Sequence, residues 1–146
     1  MKASRLLIVL LALLLASFSH AQESKAPGSS GKHRIVFEVT MDGPEQWTAV
    51  LNNVENVRTA LGAATEIEVV AHSRGLGLLI AKDNPLTDRM KTLANGGVVF
   101  AACENTMKEK NVTKDQLVPF AITTDSGVAE VVRKQEAGWS YIKSGT

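Results

Sequence analysis

Three features of the sequence predict an α/β fold. β-branched and aromatic runs alternate with segments of helical spacing, glycine or capping residues punctuate the junctions, and Val98 to Ala102 is apolar without interruption. Strands separated by helices join through right-handed crossovers, and a continuously apolar strand is one buried on both faces of a parallel sheet. The expectation is a three-layer α/β/α sandwich with a mainly parallel sheet of about five strands.

The elements follow in order. Arg34 to Thr40 (RIVFEVT) carries a strand signal. Asp42-Gly-Pro-Glu45 then opens a helix, with Asp42 as cap, Pro44 in the first turn and Glu45 at the capping-box position. Trp47, Val50, Leu51, Val54, Val57 and Leu61 recur at helical spacing on one face, and Gly62 supplies the stop. Arg58 projects into the same face. Its stem can pack while its head reaches water, or its head can meet a carboxylate or an anionic ligand.

Glu66 to Ala71 is the second strand, closing on His72. Gly75 to Ala81 (GLGLLIA) is short and apolar, and periodicity does not choose between helix and strand there. A run so free of charge in a small chain predicts a subunit interface or the wall of a pocket. Asn84-Pro85 opens a helix with Leu86, Met90, Leu93 and Ala94 on one face, ended by Gly96 and Gly97. The buried strand Val98 to Ala102 stops at Cys103. Glu104 to Lys110 reads as a short helix, with Glu104 placed to pair with Lys108. Thr113-Lys-Asp-Gln116 is a capping box, Phe120 to Thr124 a fourth strand, and Asp125 a cap for a helix bearing Val128, Val131 and Val132. Gly138 ends that helix, and Trp139 to Lys143 makes an edge strand.

Ahead of this domain, residues 1–21 read as an export signal. Lys2 and Arg5 precede an apolar run from Leu6 to Phe18, and Ser19-His-Ala21 suits a signal peptidase. The run falls short of the roughly 20 apolar residues of a membrane span, so no stable membrane insertion is expected after cleavage. Residues 22–33 are Ser, Gly, Lys and Pro with little apolar content, a flexible linker, and residues 34–146 form the domain. The expected location is the periplasm or the outside of the cell.

Two of the 16 basic side chains and none of the 15 acidic ones lie in the signal, which leaves the remainder with a formal charge of −1. Nucleic-acid binding needs clustered Lys and Arg, and no such field exists here. No cofactor motif is present: Thr40-Met-Asp-Gly-Pro-Glu45 is no phosphate loop, and a single cysteine excludes a Cys-x-x-Cys mechanism. The ligand spacings of zinc sites are missing. Ser73 and Ser126 stand outside a Gly-x-Ser-x-Gly elbow, which points away from a serine hydrolase. Asn111-Val-Thr113 is a glycosylation sequon, relevant only in a eukaryotic secretory host.

In a parallel sheet, sites form beyond the carboxyl ends of the strands. Four strand ends here carry Asp42, His72, Cys103 and Asp125. Cys103 is the leading catalytic candidate. In an exported protein a lone cysteine is buried and inert, bonded between chains, or a working thiol, and this one lies between a strand end and a helix start, where unpaired N–H groups favour thiolate. Glu104 opposes that by adding a negative charge. His72 is the candidate base or hydrogen-bond donor to the sulfur, while Asp42 and Asp125 are helix caps first.

The runs VVAHSRGLGLLIA, GGVVFAACENTMKEKNV and DSGVAEVVRKQEAGWSYIK resemble the exported single-domain members of the DsrE/DsrF-like family, and the resemblance covers essentially Arg34 to Lys143. The resemblance implies an α/β/α fold with a mainly parallel sheet, assembly into a homo-oligomer, and a cysteine that carries sulfur as a persulfide, matched here by Cys103. Its partners would be a sulfur donor or acceptor, either a protein or a small sulfur compound. A shared fold does not establish a shared reaction. A sulfur carrier or sulfurtransferase-like protein and a non-catalytic binding module with a small-ligand pocket at the strand ends are therefore the two expectations.

Overall fold

The computed structural model describes residues 32–144. The expected signal and most of the expected linker lie outside the described residues. The strands are β1 (Arg34–Val39), β2 (Glu66–Ala71), β3 (Val99–Cys103), β4 (Ile122–Thr124) and β5 (Ser140–Ser144). The helices are α1 (Pro44–Leu61), α2 (Thr87–Asn95), α3 (Glu104–Glu109) and α4 (Gly127–Glu136), with 3₁₀ segments at Ser73–Leu79 and Lys114–Gln116.

The five strands form one sheet in the order β4-β3-β2-β1-β5, and every neighbouring pair is parallel. β2, β3 and β4 add successively on one side of β1, and β5 returns to the other. Right-handed crossovers in one direction place α1, the first 3₁₀ helix, α2 and α3 on one face, and the reversed step sends α4 to the opposite face. The core has that asymmetry. Ile35, Phe37, Val39, Ile67, Val69 and Phe100 pack against Val50, Leu51, Val54, Leu79 and Met90 in the larger cluster. The other face holds Val36, Val70, Ala101 and Val131, with Trp139 against them. Among the described residues no helix is long and apolar enough to cross a membrane.

Local chemistry departs from expectation at several junctions. Gly43, not Asp42, is the N-cap of α1, with φ 104° and no side-chain capping bond. Asp42 Oδ1 instead accepts the Gly43 N–H at 2.9 Å. Only a residue at ease with positive φ fits here, and glycine is that residue. Pro44 does occupy the first turn. Leu61, the last residue of α1, is exposed. Arg58 meets no carboxylate among the described residues: Nη2 donates to the Gly96 carbonyl at 2.9 Å and ties α1 to the end of α2.

Residues 75–79 of GLGLLIA lie in the first 3₁₀ helix, and Ile80 caps it in an extended conformation. Leu78 and Leu79 are wholly buried in the chain's own core, so neither side chain is free to face a second subunit. At α4 the cap is Ser126, whose Oγ accepts from the Ala129 N–H at 3.4 Å, rather than Asp125. Of the three valines on α4, only Val131 is buried; Val128 and Val132 face outward. A single helix over this face presents one narrow stripe to the sheet, and those two lie beside it. The capping box at Thr113 forms as expected, with Gln116 Oε1 accepting the Thr113 N–H at 2.8 Å.

Candidate functional site

β2 and β3 are paired with Ala71 opposite Ala102. The next residues, His72 and Cys103, are therefore neighbours at the carboxyl edge. β-strand alternation places both on the α4 side, together with Glu38 of β1 and Thr124 of β4. Both faces of the central strands are apolar for most of their length, so a carboxylate, an imidazole and a thiol together mark a break in the pattern.

Cys103 ends β3 and is the N-cap of α3. It keeps 4% of its exposure. Burial pushes its thiol up, but the Thr106 hydroxyl and the N–H groups of Gly127, Thr106 and Asn105 outweigh burial and hold it below the ordinary thiol value. The side chain closes no regular capping bond, so these groups act as dipoles aimed at the charge of a thiolate. They come from two helix starts, α3 and α4. Thr106 Oγ1 accepts the Ser73 N–H at 3.0 Å, which leaves its own proton to turn toward the sulfur. Glu104 does not pair with Lys108. Its Oε1 accepts from Thr123 Oγ1 at 2.7 Å and lies 3.8 Å from Lys114 Nζ, which draws its charge toward β4.

His72 has both ring nitrogens engaged away from the sulfur. Nε2 is 2.8 Å from Glu38 Oε1 and Nδ1 is 3.0 Å from Ser73 Oγ. The ring instead shows a carbon edge to the space at Gly127: a β-carbon there would stand 3.1 Å from His72 Cδ2 and 3.2 Å from Cys103 Cβ. The Tyr141 hydroxyl donates to Glu38 Oε2. Burial pushes the Glu38 carboxyl up, but the bonds from Tyr141 and His72 hold it below its ordinary value. The Tyr141 phenol is pushed up to about 12, by burial first and then by the Glu38 carboxylate. Tyr141, Glu38, His72 and Ser73 thus form one hydrogen-bonded chain across β5, β1 and β2, at the point where strand order reverses.

The other two strand-end acids stand apart. Asp125 is held by Arg133 Nη2 at 2.6 Å, and that guanidinium keeps its carboxyl low. Asp42 lines a concavity of about 170 Å³ with Arg74, Leu76, Gly77, Ile80, Lys110 and Val112. GLGLLIA therefore does wall a pocket at the strand ends. A second concavity of about 310 Å³ lies against Glu104, Met107, Lys108, Val112, Thr113 and Lys114. Among the described residues no three His, Cys, Asp or Glu side chains gather as a metal site.

The sequence assigns no role to Glu38, Thr106, Gly127 or Tyr141, and its missing elbow pattern sets Ser73 aside. One of them had a signal: an acid inside RIVFEVT is anomalous for a strand buried on both faces.

Residues 34–144 match the sequence pattern of the DsrE/DsrF-like family. Among solved structures, a protein of unknown function from Methanobacterium thermoautotrophicum is 33% identical, with a TM-score of 0.73, over 77% of this chain and 99% of that one. A conserved protein of unknown function from Bacteroides thetaiotaomicron shares the fold at 12% identity and a TM-score of 0.60, over 75% of this chain and 93% of that one. No curated protein matches.

Proposed function

Since this chain belongs to the DsrE/DsrF-like family, a family of sulfur-relay type, we propose that it is a sulfur carrier or sulfurtransferase-like protein in which Cys103 holds a persulfide. The observation that carries this reading is the place of Cys103 at the N-cap of α3 with the start of α4 close against it, where the Thr106 hydroxyl and the nearby N–H groups favour thiolate in spite of burial. A carrier needs a nucleophilic sulfur near neutral pH, whereas an inert core cysteine needs no donors at all.

The step balances without an oxidant. The Cys103 thiolate attacks the outer sulfur of a donor R–S–SH and a new S–S bond forms. The donor's S–S bond breaks, and the departing thiolate takes the persulfide proton as R–SH. Cys103–S–S⁻ remains, stabilised by the same N–H groups. His72 walls this site, with its nitrogens committed to Glu38 and Ser73.

Read as exported, the chain works in the periplasm or outside the cell, beginning at Gln22; amino-terminal sequencing of exported protein checks the cleavage point. A homo-oligomer is part of the same reading, supported by Val99, Ile122, Val128 and Val132, all exposed on the face that α4 covers alone.

The test is intact-mass analysis after incubation with a low-molecular-weight persulfide. The expected result is the addition of one sulfur atom, abolished by Cys103→Ser. The 4% exposure of Cys103 favours a second reading, a non-catalytic module that binds a small ligand in the Asp42–Arg74–Lys110 concavity. That reading replaces the first if no sulfur attaches, or if the thiol titrates at or above the unperturbed value of about 8.5.

A further inference from the structure

We propose that Ser73 is a second nucleophile, an activated hydroxyl that takes acyl groups from short esters or thioesters, with His72 as its base and Glu38 as the carboxylate that positions the base. This goes beyond sulfur transfer and does not use Cys103.

The hydrogen-bond directions follow from the chain itself. Tyr141 donates to one oxygen of Glu38, and His72 Nε2 lies 2.8 Å from the other. An ionised carboxylate only accepts, so Nε2 carries the ring proton. In the neutral ring Nδ1 is then a lone pair, and the Ser73 hydroxyl 3.0 Å away is the donor. Ser73–His72–Glu38 is thus an ordered relay of nucleophile, base and carboxylate, with the nitrogens of the imidazole used in the reverse of their common order. Side-chain exposures of 10% for His72 and 16% for Glu38 keep the base and its carboxylate largely out of water while Ser73 is exposed.

Backbone geometry supports the same role. Ser73 follows β2 directly, begins a 3₁₀ helix, and has φ 53°. Strained strand-to-helix turns of this kind project a hydroxyl outward in elbow-type nucleophiles, even though the flanking glycine pattern is missing here. The Arg74 N–H, on the residue after the nucleophile, takes part in no backbone hydrogen bond among those outside regular elements. Arg74, next to Ser73 in the chain, also lines the 170 Å³ concavity, whose apolar members Leu76, Ile80 and Val112 suit a short acyl chain.

In the reaction, Ser73 Oγ attacks the acyl carbonyl and its proton passes to His72 Nδ1, giving an imidazolium paired with Glu38. Collapse of the tetrahedral intermediate breaks the bond to the alcohol or thiol, which leaves with the proton from Nδ1. Water, activated by the same nitrogen, then releases the acid and restores Ser73.

A fluorophosphonate probe and p-nitrophenyl butyrate test this with the whole protein. The expected result is one adduct, mapped by peptide mass to Ser73, and ester turnover that falls about 100-fold or more in Ser73→Gly. Glycine suits φ 53°, so this variant keeps the backbone. Glu38→Gln is expected to lower kcat with KM unchanged, and Glu38→Asp to restore part of it. An adduct on another residue, no adduct, or turnover that survives Ser73→Gly overturns the proposal. Because the probe is mapped in the unaltered protein, the outcome stands even if a variant fails to fold. Sulfur loading is read by a separate mass on Cys103, so either result can fail alone.

Discussion

Gly127 approaches Cys103 so closely that a β-carbon on it would lie 3.2 Å from Cys103 Cβ and 2.9 Å from His72 Cβ. The first residue of α4 therefore has to lack a side chain if its N–H is to reach the sulfur. Gly127→Ala is expected to destabilise the protein by about 1–3 kcal/mol through overpacking. It should also slow thiol labelling, because the helix start must retreat. Denaturant midpoints and iodoacetamide rates on the same variant check both effects; a stable variant that labels at the original rate would contradict the geometry.

Thr106 gives a cleaner test of the thiolate. Its hydroxyl is the first of the groups that hold the Cys103 thiol down, and a hydrogen bond to a charged group is worth about 1.5–3 kcal/mol. Thr106→Val keeps the shape and removes the donor. Labelling at neutral pH is expected to slow by about tenfold or more, measured against pH so that a shifted titration is told apart from changed access.

The acid limb of stability has a named contributor. The Glu38 carboxyl is held below its ordinary value by Tyr141 and His72, against the opposing effect of burial. A depressed carboxyl stabilises the fold above the unfolded value of about 4.3, and that contribution is lost as pH falls through the lower folded value. Glu38→Gln does not titrate, so its stability should fall less steeply over that range than that of the original protein. Urea midpoints from about pH 2.5 to 7 decide it.

Assembly and core separate on two substitutions. Leu78 has no exposure, and Leu78→Ala should cost about 2–5 kcal/mol without altering subunit count. Ile122 and Val128 are exposed at 51% and 57%, so the pair Ile122→Asp and Val128→Asp should lower the sedimentation coefficient of a homo-oligomer with little loss of monomer stability. A sedimentation profile unchanged by the pair would place any interface elsewhere.

Reading along the chain determined the elements themselves. Arg34–Val39, Glu66–Ala71 and the strand ending at Cys103 are short runs whose composition alone separates strand from helix, and their alternation with helices required parallel pairing. Pro44, Gly62 and the Thr113–Gln116 box act on their immediate neighbours, so their effects were also legible. The position of Cys103 between strand and helix was a local fact of the same kind.

Tertiary structure decided whatever depends on distance in sequence. Glu38 and Tyr141 are brought together only because β5 returns beside β1, and no local pattern reports that reversal. Gly127 meets His72 and Cys103 through a crossover onto the opposite face. The exposure of Val128 and Val132 depends on how much sheet one helix can cover. His72 shows the division most clearly: strand-end logic places it beside the sulfur, but the hydrogen bond that turns Nε2 toward Glu38 exists only once β1 and β2 are side by side. Local propensity acts over a few bonds, whereas the charge and orientation of a buried side chain are set by whatever the fold packs around it.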